Sequence, residues 1–157
     1  LLRESQADAL CLPNTGMVVN IDLGDAKDIH PKTKREVGRR MAAIALNQTY
    51  GKRKVAYTAP IYDHFTTEND GIHIHFRTPQ GSEPLVTEDN LPGFIIAGAD
   101  RKWHVAKAKV VSENEVVVSN EGIHFPVAVR YGWADNPTCT LRTASDLHVA
   151  PFRTDRW

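Results

Sequence analysis

The chain has 157 residues, of which 41% are hydrophobic and 24% charged, and 19 Lys plus Arg balance 19 Asp plus Glu. These proportions suit one ordinary folded domain, or a small domain plus a piece of another, and exclude a mainly disordered chain. A net charge of zero gives no long-range attraction to nucleic acid or anionic lipid, and no apolar run is long enough to span a bilayer, so neither nucleic acid nor a membrane is expected as a partner.

The chain starts in what reads as the end of a helix, residues 1–10, closed by a loop at Pro13 and Gly16. Nothing at this end has the form of a signal peptide. The only cysteines, Cys11 and Cys139, fit no zinc or redox spacing; a disulfide between them is allowed by count alone. Met17-Val18-Val19-Asn20-Ile21 is a short apolar run with adjacent valines and is expected to be a buried parallel strand. Residues 22–31 form a polar loop with Asp22, Gly24, Asp25, Asp28, His30 and Pro31. A helix is predicted from about Thr33 to Tyr50. Thr33-Lys34-Arg35-Glu36 matches a capping box, Val37, Met41, Ile44 and Gln48 share a face, and Gly51 is placed to stop the helix.

The pattern changes near residue 52. Short β-rich runs at 60–66, 72–78, 93–97, 103–111, 114–119 and 125–131 alternate with turn residues. Glu68-Asn69-Asp70-Gly71 and Ser112-Glu113-Asn114-Glu115 are hairpin signals. The spacing predicts an antiparallel β-sandwich-like region. Residues 134–157, rich in Asp, Asn, Pro and Thr, are expected to be an ordered loop packed on it. The expected organisation is therefore an α/β fragment over 1–51 (strand, histidine loop, helix) and a β-rich region over 52–157.

Functional groups in open α/β sheets gather beyond the carboxyl ends of the strands, which is where loop 22–31 sits. His30 is placed there as a general base: imidazole takes a proton from a hydroxyl near neutral pH and returns it to a leaving alcohol. An acid that fixes its tautomer would come from Asp28, or from Asp25. Local pattern alone leaves open a plain helix start with solvated polar residues.

Residues 16–25, then Asp28-Ile29-His30-Pro31-Lys32, Lys34-Arg35-Glu36-Val37-Gly38-Arg39-Arg40, Arg130-Tyr131-Gly132-Trp133-Ala134-Asp135-Asn136-Pro137 and Pro151-Phe152-Arg153-Thr154-Asp155 resemble the sialate O-acetylesterase family. The resemblance runs through nearly the whole chain. It implies an SGNH-type hydrolase with a flavodoxin-like sheet, which removes acetyl groups from sialic acids or cell-wall glycans without a metal or organic cofactor. It assigns His30 to the catalytic histidine and Asp28 to its acid. In the wider SGNH superfamily that acid lies three residues before the histidine, where this chain has Lys27; Asp25 or a main-chain carbonyl is the alternative to Asp28. Such esterases carry the nucleophilic serine and oxyanion donors in earlier blocks. None of Ser5, Ser82, Ser112, Ser119 and Ser145 sits in a nucleophile motif. The chain is thus expected to be the C-terminal part of such an esterase, inactive alone, with the serine-bearing N-terminal part as its partner and an acetylated sugar as substrate. Family members are often secreted, periplasmic or lysosomal, and the resemblance implies no more than that about compartment.

Three other features compete. A carbohydrate-binding module over 52–157 would not need the acid–histidine loop and helix before it. His73 and His75 lie on one strand face with His64 on the partner strand, an arrangement that could hold zinc or copper or be a solvated polar face. No metal is assigned at this stage. Arg130, Tyr131 and Trp133 could stack on a sugar, although large aromatics more often pack. Lys32, Lys34, Arg35, Arg39 and Arg40 read as a solvated helix face.

Overall fold

The computed structural model describes residues 2–30, 32–69 and 71–157. Two helices lie in the first third of the chain: α1, Leu2–Asp8, which runs into a 3-10 turn at Ala9–Cys11, and α2, Lys34–Ile44, which widens into a π turn at Ala45–Thr49. Eight strands follow: β1 Ile61–Glu68, β2 Gly71–Arg77, β3 Phe94–Gly98, β4 Trp103–Val105, β5 Lys107–Ser112, β6 Glu115–Ser119, β7 Pro126–Tyr131 and β8 Phe152–Arg153. They form two antiparallel four-stranded sheets, ordered β1-β2-β6-β5 and β4-β3-β7-β8.

One apolar core is shared by both sheets. From the first come Ile72, Ile74 and Phe76 of β2, Ala108 and Val110 of β5, and Val116 and Val118 of β6. The second supplies Phe94 and Ile96, Val129 and Tyr131, and Phe152. The period-2 alternation of a strand with one covered face selects these residues. Phe152 ties the two sheets together: its ring lies 4.7 Å from Tyr62 and 5.7 Å from Phe76 on one side, and 5.8 Å from Tyr131 and 6.3 Å from Phe94 on the other. Residues 134–157 add Leu141, Leu147 and Val149 to the core, so this polar-looking stretch is an ordered, partly buried wrap. The Tyr131 hydroxyl accepts a hydrogen bond from the Leu141 N–H at 3.1 Å, and its burial raises the phenol pKa well above the ordinary value.

Both predicted hairpins form. Glu68 pairs with Gly71 and Ser112 with Glu115, each across a two-residue turn, although Asp70 of the first lies outside the described residues. The predicted run 103–111 is two strands rather than one. β4 pairs with β3 and β5 with β6, and the chain passes from one sheet to the other at Ala106, whose small side chain fits under the crossing while its N–H donates to Phe94 O at 3.1 Å.

The first third departs further from expectation. Residues 17–21 pair with no strand among the described residues, and Met17, Val18, Val19 and Ile21 are half-buried. A parallel strand is stable only between neighbours that satisfy its backbone and cover both faces, and this run has none here. The capping box does not form. The Thr33 side chain makes no cap bond and donates instead to Leu23 O at 3.3 Å. Glu36, its expected partner, is captured by Arg39 and Arg40, because charge-assisted bonds outcompete a neutral amide. The inward face of the helix is also displaced: Met41 is 58% exposed, while Arg40, Ala43 and Asn47 are buried. A polar inner face suits neighbours that are irregular backbone rather than a sheet. Asn47 Nδ2 donates to Val55 O at 2.8 Å and Arg53 O at 3.3 Å, and Arg40 does the equivalent on the other side. Gly51 stops the helix as predicted, at φ 67°, with the Lys52 N–H closing on Leu46 O at 2.8 Å. Cys11 and Cys139 are free thiols, the first exposed and the second buried.

Candidate active site

Loop 22–30 is built from two consecutive aspartate turns. Asp25 Oδ1 accepts from the Lys27 N–H at 2.9 Å, and Asp28 Oδ1 accepts from the His30 N–H at 2.8 Å. Aspartate is suited to this because its short carboxylate reaches the backbone two residues on. Asp25 and Asp28 also face each other across an antiparallel bridge. The outcome is a loop of two turns with His30 exposed at its end. Asp28 is therefore beside His30, but its recorded bond is to the main chain, where it fixes the backbone that carries the imidazole. Asp25 holds Lys27 in the same manner and makes no recorded bond to His30. Ile29, between Asp28 and His30, is 91% exposed.

The inner end of the loop is clamped by Arg40, whose side chain is 2% exposed. Its Nη1 donates to Val19 O at 2.5 Å and to Asp22 Oδ1 at 2.8 Å. Its Nη2 donates to Asp22 Oδ2 at 2.6 Å and to Asp146 O at 3.1 Å, and its Nε reaches Glu36 Oε1 at 3.1 Å. One guanidinium thus joins α2, the segment entering the loop, and the segment after β7. Such a forked set of five N–H groups is available only from arginine. Burial alone would raise the Asp22 pKa, but the Arg40 bonds outweigh it and hold the carboxyl below its ordinary value. Arg39 and Arg40 likewise hold Glu36 down to about 2.

His148 completes this cluster. Its Nε2 lies 3.5 Å from Asp22 Oδ2 and 3.6 Å from Asp146 Oδ1, and its buried Nδ1 has no hydrogen-bond partner among the described residues. Burial pushes its pKa down, against the pull of the two aspartates. The ligand atoms of Asp22, Asp146 and His148 lie within 4.8 Å of one another, as in a small metal site. Arg40 already neutralises this cluster, bonded to both Asp22 oxygens and 4.0 Å from the Asp146 carboxylate. The cluster is an ion-pair network that positions the loop. Sequence reading noted Asp22 only as a loop acid and took Arg40 for a solvated base. No local pattern marks Arg40 as buried or Asp22 as its partner, because the groups that Arg40 bonds lie 18 and 106 residues away in the chain.

A cleft of about 550 Å³ opens beside the loop, lined by Met17, Val19, Ile21, Gly24 and Asp25 on one side and by Arg3, Asp135 and Pro151 on the other. The unpaired run 17–21 forms its wall. Lys27, Lys32, Lys34 and Arg35 are exposed around the loop and the start of α2.

The aromatic block at the other end is a packing device. The Arg130 guanidinium pairs with Asp155 through Nε at 2.8 Å and Nη2 at 2.6 Å, and lies 4.2 Å from the Trp103 ring centroid and 5.6 Å from that of Trp133. Arg153 lies 5.3 Å from the Trp133 centroid and pairs with Glu4 of α1 at 2.9 Å. Arg3 adds bonds to the carbonyls of Ala134 and Asp135, at 2.8 and 2.9 Å. Arg3 and the Glu4–Arg153 pair thus tie α1 to the second sheet, and half-buried Trp133 is flanked by two guanidinium groups.

No protein-family model matches the chain. It is 28% identical over 153 residues to the sialate O-acetylesterase of Mus musculus, covering 90% of this chain and 28% of that protein. Its fold matches the crystal structure of a carbohydrate acetylesterase from Xanthomonas citri with a TM-score of 0.89 and 39% identity, over 99% of this chain and 36% of that one. The chain spans about a third of the length of these relatives. Over nearly all of its own length it is similar to the sialate O-acetylesterase-like carbohydrate esterases, the family that the Asp28-Ile29-His30-Pro31 and 130–137 blocks resemble.

Proposed function

We propose that this chain is the histidine-bearing, C-terminal portion of a carbohydrate O-acetylesterase of the SGNH type. The observation that carries the reading is the form of loop 22–30: an exposed imidazole on a loop braced by two aspartate turns and clamped from below by a buried arginine. Solvated loops do not recruit a buried five-donor clamp, whereas a general base must be held to within a fraction of an ångström. On this reading residues 1–51 belong to the hydrolase domain. The run 17–21 adds a strand to an α/β sheet whose other strands, with the nucleophilic serine and the oxyanion donors, come from sequence outside these residues. Three of the serine hydroxyls here have bonds elsewhere: Ser82 to Glu83 O, Ser112 to Asn114 and Ser145 to the Glu83 carboxylate.

In this mechanism the serine hydroxyl attacks the acetyl carbonyl while the His30 imidazole accepts its proton. The tetrahedral adduct collapses, and the sugar hydroxyl leaves with that proton. Water, deprotonated by the same imidazole, then releases acetate. Asp28 holds the His30 backbone and, on this reading, is the acid that orients the ring. The β-rich region, residues 52–157, braces the loop through Asp146 and His148. The substrate is an acetylated sugar, sialic acid or a related glycan.

The test is deacetylation by a protein that includes this chain and the serine-bearing part. His30→Ala is expected to lower the rate by about three or more powers of ten, since members of such a unit fail together. Asp28→Asn is expected to cost more than tenfold and Asp25→Asn less. Near-normal turnover in His30→Ala would remove His30 from the chemistry. A larger loss in Asp25→Asn than in Asp28→Asn would reassign the acid.

A further inference from the structure

The Asp146 carbonyl that Arg40 grips is presented by a tight turn over residues 143–147. The Asp146 N–H donates to Thr143 O at 3.0 Å, the Leu147 N–H to Thr143 Oγ1 at 3.3 Å, and the Thr143 N–H to Leu147 O at 3.0 Å. Thr143 itself is fully buried. Asp146 sits in the left-handed region at φ 60°, which a residue other than glycine keeps only where its surroundings over-determine the backbone. Its carbonyl oxygen accepts from Arg40 Nη2 at 3.1 Å, while its carboxylate lies 3.6 Å from both His148 Nε2 and Arg142 Nε.

This turn is held from outside by half-buried Glu83. Glu83 Oε1 accepts from the Ser145 hydroxyl at 2.8 Å, and Glu83 Oε2 accepts from the Ser145 N–H at 3.1 Å. Both oxygens of one carboxylate thus close on one residue, the neighbour of Asp146. The segment that carries Glu83 is itself fixed: Leu85 bridges to Thr143, and the Val86 N–H donates to Arg142 O at 3.0 Å. On its other side Ser145 O accepts from Arg39 Nη2 at 3.4 Å. Two charge-assisted bonds from Glu83 outweigh that single long one.

We propose that Glu83 is a positioning residue for the loop that carries His30. Through Ser145 it sets the Asp146 carbonyl that Arg40 grips, and through Arg40 it sets the start of the loop at Val19 and Asp22. Among the described residues Glu83 makes no bond to loop 22–30 itself, so it acts on geometry and not on the reacting atoms. Without the carboxylate the turn loses both outer bonds, and Asp146 is free to leave the left-handed region. The guanidinium then loses one of the acceptors that orient it, and the loop one of its anchors. The catalytic consequence rests on the esterase reading given above; the hold on the loop does not.

The test has two arms, each with Glu83→Ala and with Glu83→Gln, which keeps an acceptor for the Ser145 hydroxyl and should fall between Glu83→Ala and the unaltered protein. In the 157-residue chain, amide hydrogen exchange is measured residue by residue. The amides of Leu23, Asp146 and Leu147 are expected to exchange at least about fivefold faster in Glu83→Ala, while those of Ile74 and Val116 in the first sheet keep their rates. Unchanged exchange at Leu23, or equal acceleration at Ile74 and Val116, would overturn the proposal, the second because it marks a general loss of stability. In a protein that also includes the serine-bearing part, Glu83→Ala is expected to lower kcat for deacetylation about tenfold with KM nearly unchanged. Gly71→Ala, which strains a hairpin in the first sheet, should leave kcat as it is at a temperature where the protein stays folded. A normal kcat in Glu83→Ala would overturn the positioning role. If the unaltered protein does not deacetylate, the esterase reading fails, and the exchange arm alone decides whether Glu83 holds the loop.

Discussion

Replacing Arg40 with methionine keeps most of its apolar stem and removes the guanidinium that five acceptors share. The Asp22 side chain, only 15% exposed, would then be an unpaired carboxylate in a largely dry site, and Val19 O and Asp146 O would lose a donor. Breaking a buried ion pair by removing one partner costs about 3–5 kcal/mol. Asp22 keeps some contact with water and has His148 nearby, which points to the lower end, about 3 kcal/mol. In a chain of this size each kcal/mol shifts the melting temperature by roughly 2–4 °C, so a fall of roughly 6–12 °C is expected. Urea unfolding should show a lower midpoint with an unchanged slope. Arg40→Lys keeps the charge but not the fork and should fall between. Asp22→Asn should cost nearly as much as Arg40→Met, and the double variant clearly less than the sum, because both remove the same interaction. Arg39→Met is the control: its pair with Glu36 is on the surface and should contribute no more than about 1 kcal/mol. A loss under about 1 kcal/mol in Arg40→Met, or strict additivity with Asp22→Asn, would refute the clamp.

Stability should also respond to pH at His148 and Glu36 and to substitution at two glycines. Burial lowers the His148 pKa from its ordinary 6.5, so the unfolded chain binds this proton more readily than the folded one. Its contribution to stability is full above about pH 6.5 and is lost as pH falls below that, and His148→Gln should flatten this part of a stability–pH curve measured by urea unfolding. Glu36, held at about 2, loses its contribution separately, as pH falls from about 4.5 toward 2. Gly71 sits at φ 145°, where a methyl group would collide with the Val118 carbonyl oxygen, so Gly71→Ala should destabilise by more than about 1 kcal/mol. Gly38, in α2 with open space around it, should behave in the opposite way: Gly38→Ala should stabilise by about 0.5–1 kcal/mol, and thermal denaturation distinguishes the two.

The β-rich part was legible because its signals are local. Alternation in Ile72-His73-Ile74-His75-Phe76 and the Asn-Asp-Gly turn before it specify a strand, its inward face and its partner within 20 residues. The error at 103–111 has a definite cause. Both halves alternate correctly, and nothing local says that Ala106 marks a change of sheet; that depends on which strands lie above and below. In the first third the outcome turns on distant partners. Run 17–21 has strand composition, but a strand exists only with neighbours, and none of the described residues supplies them. Thr33 and Glu36 match a capping box in sequence, yet Glu36 had two arginines within one helical turn. Arg40 looked solvated because arginine usually is; its burial follows from Asp22 and Asp146, which sequence distance hides. At the candidate site the residues were legible and their contacts were not. Asp28 and His30 are adjacent as expected, but the aspartate's recorded bond is to the backbone amide.

That last contact changes how the site is understood. A carboxylate that bonds the amide of His30 fixes φ at the histidine and so the base of its side chain, while leaving χ1 free. The clamp below does the complementary work, since Arg40 fixes where the loop begins by holding Val19 and Asp22 against α2. The two devices share no atoms, and they secure opposite ends of a nine-residue loop whose last residue carries the imidazole. Asp146 and His148 belong to the segment between β7 and β8, so the position of the loop is set in part by the β-rich region. This gives that region a physical role in the proposed chemistry without any contact with substrate. It also accounts for Ile29, which is exposed between the two functional side chains. A loop braced at both ends can keep an apolar residue in water, and the half-buried run 17–21 lines the cleft beside the loop. Both are surfaces that the serine-bearing part of such an esterase would cover when it brings its hydroxyl to His30.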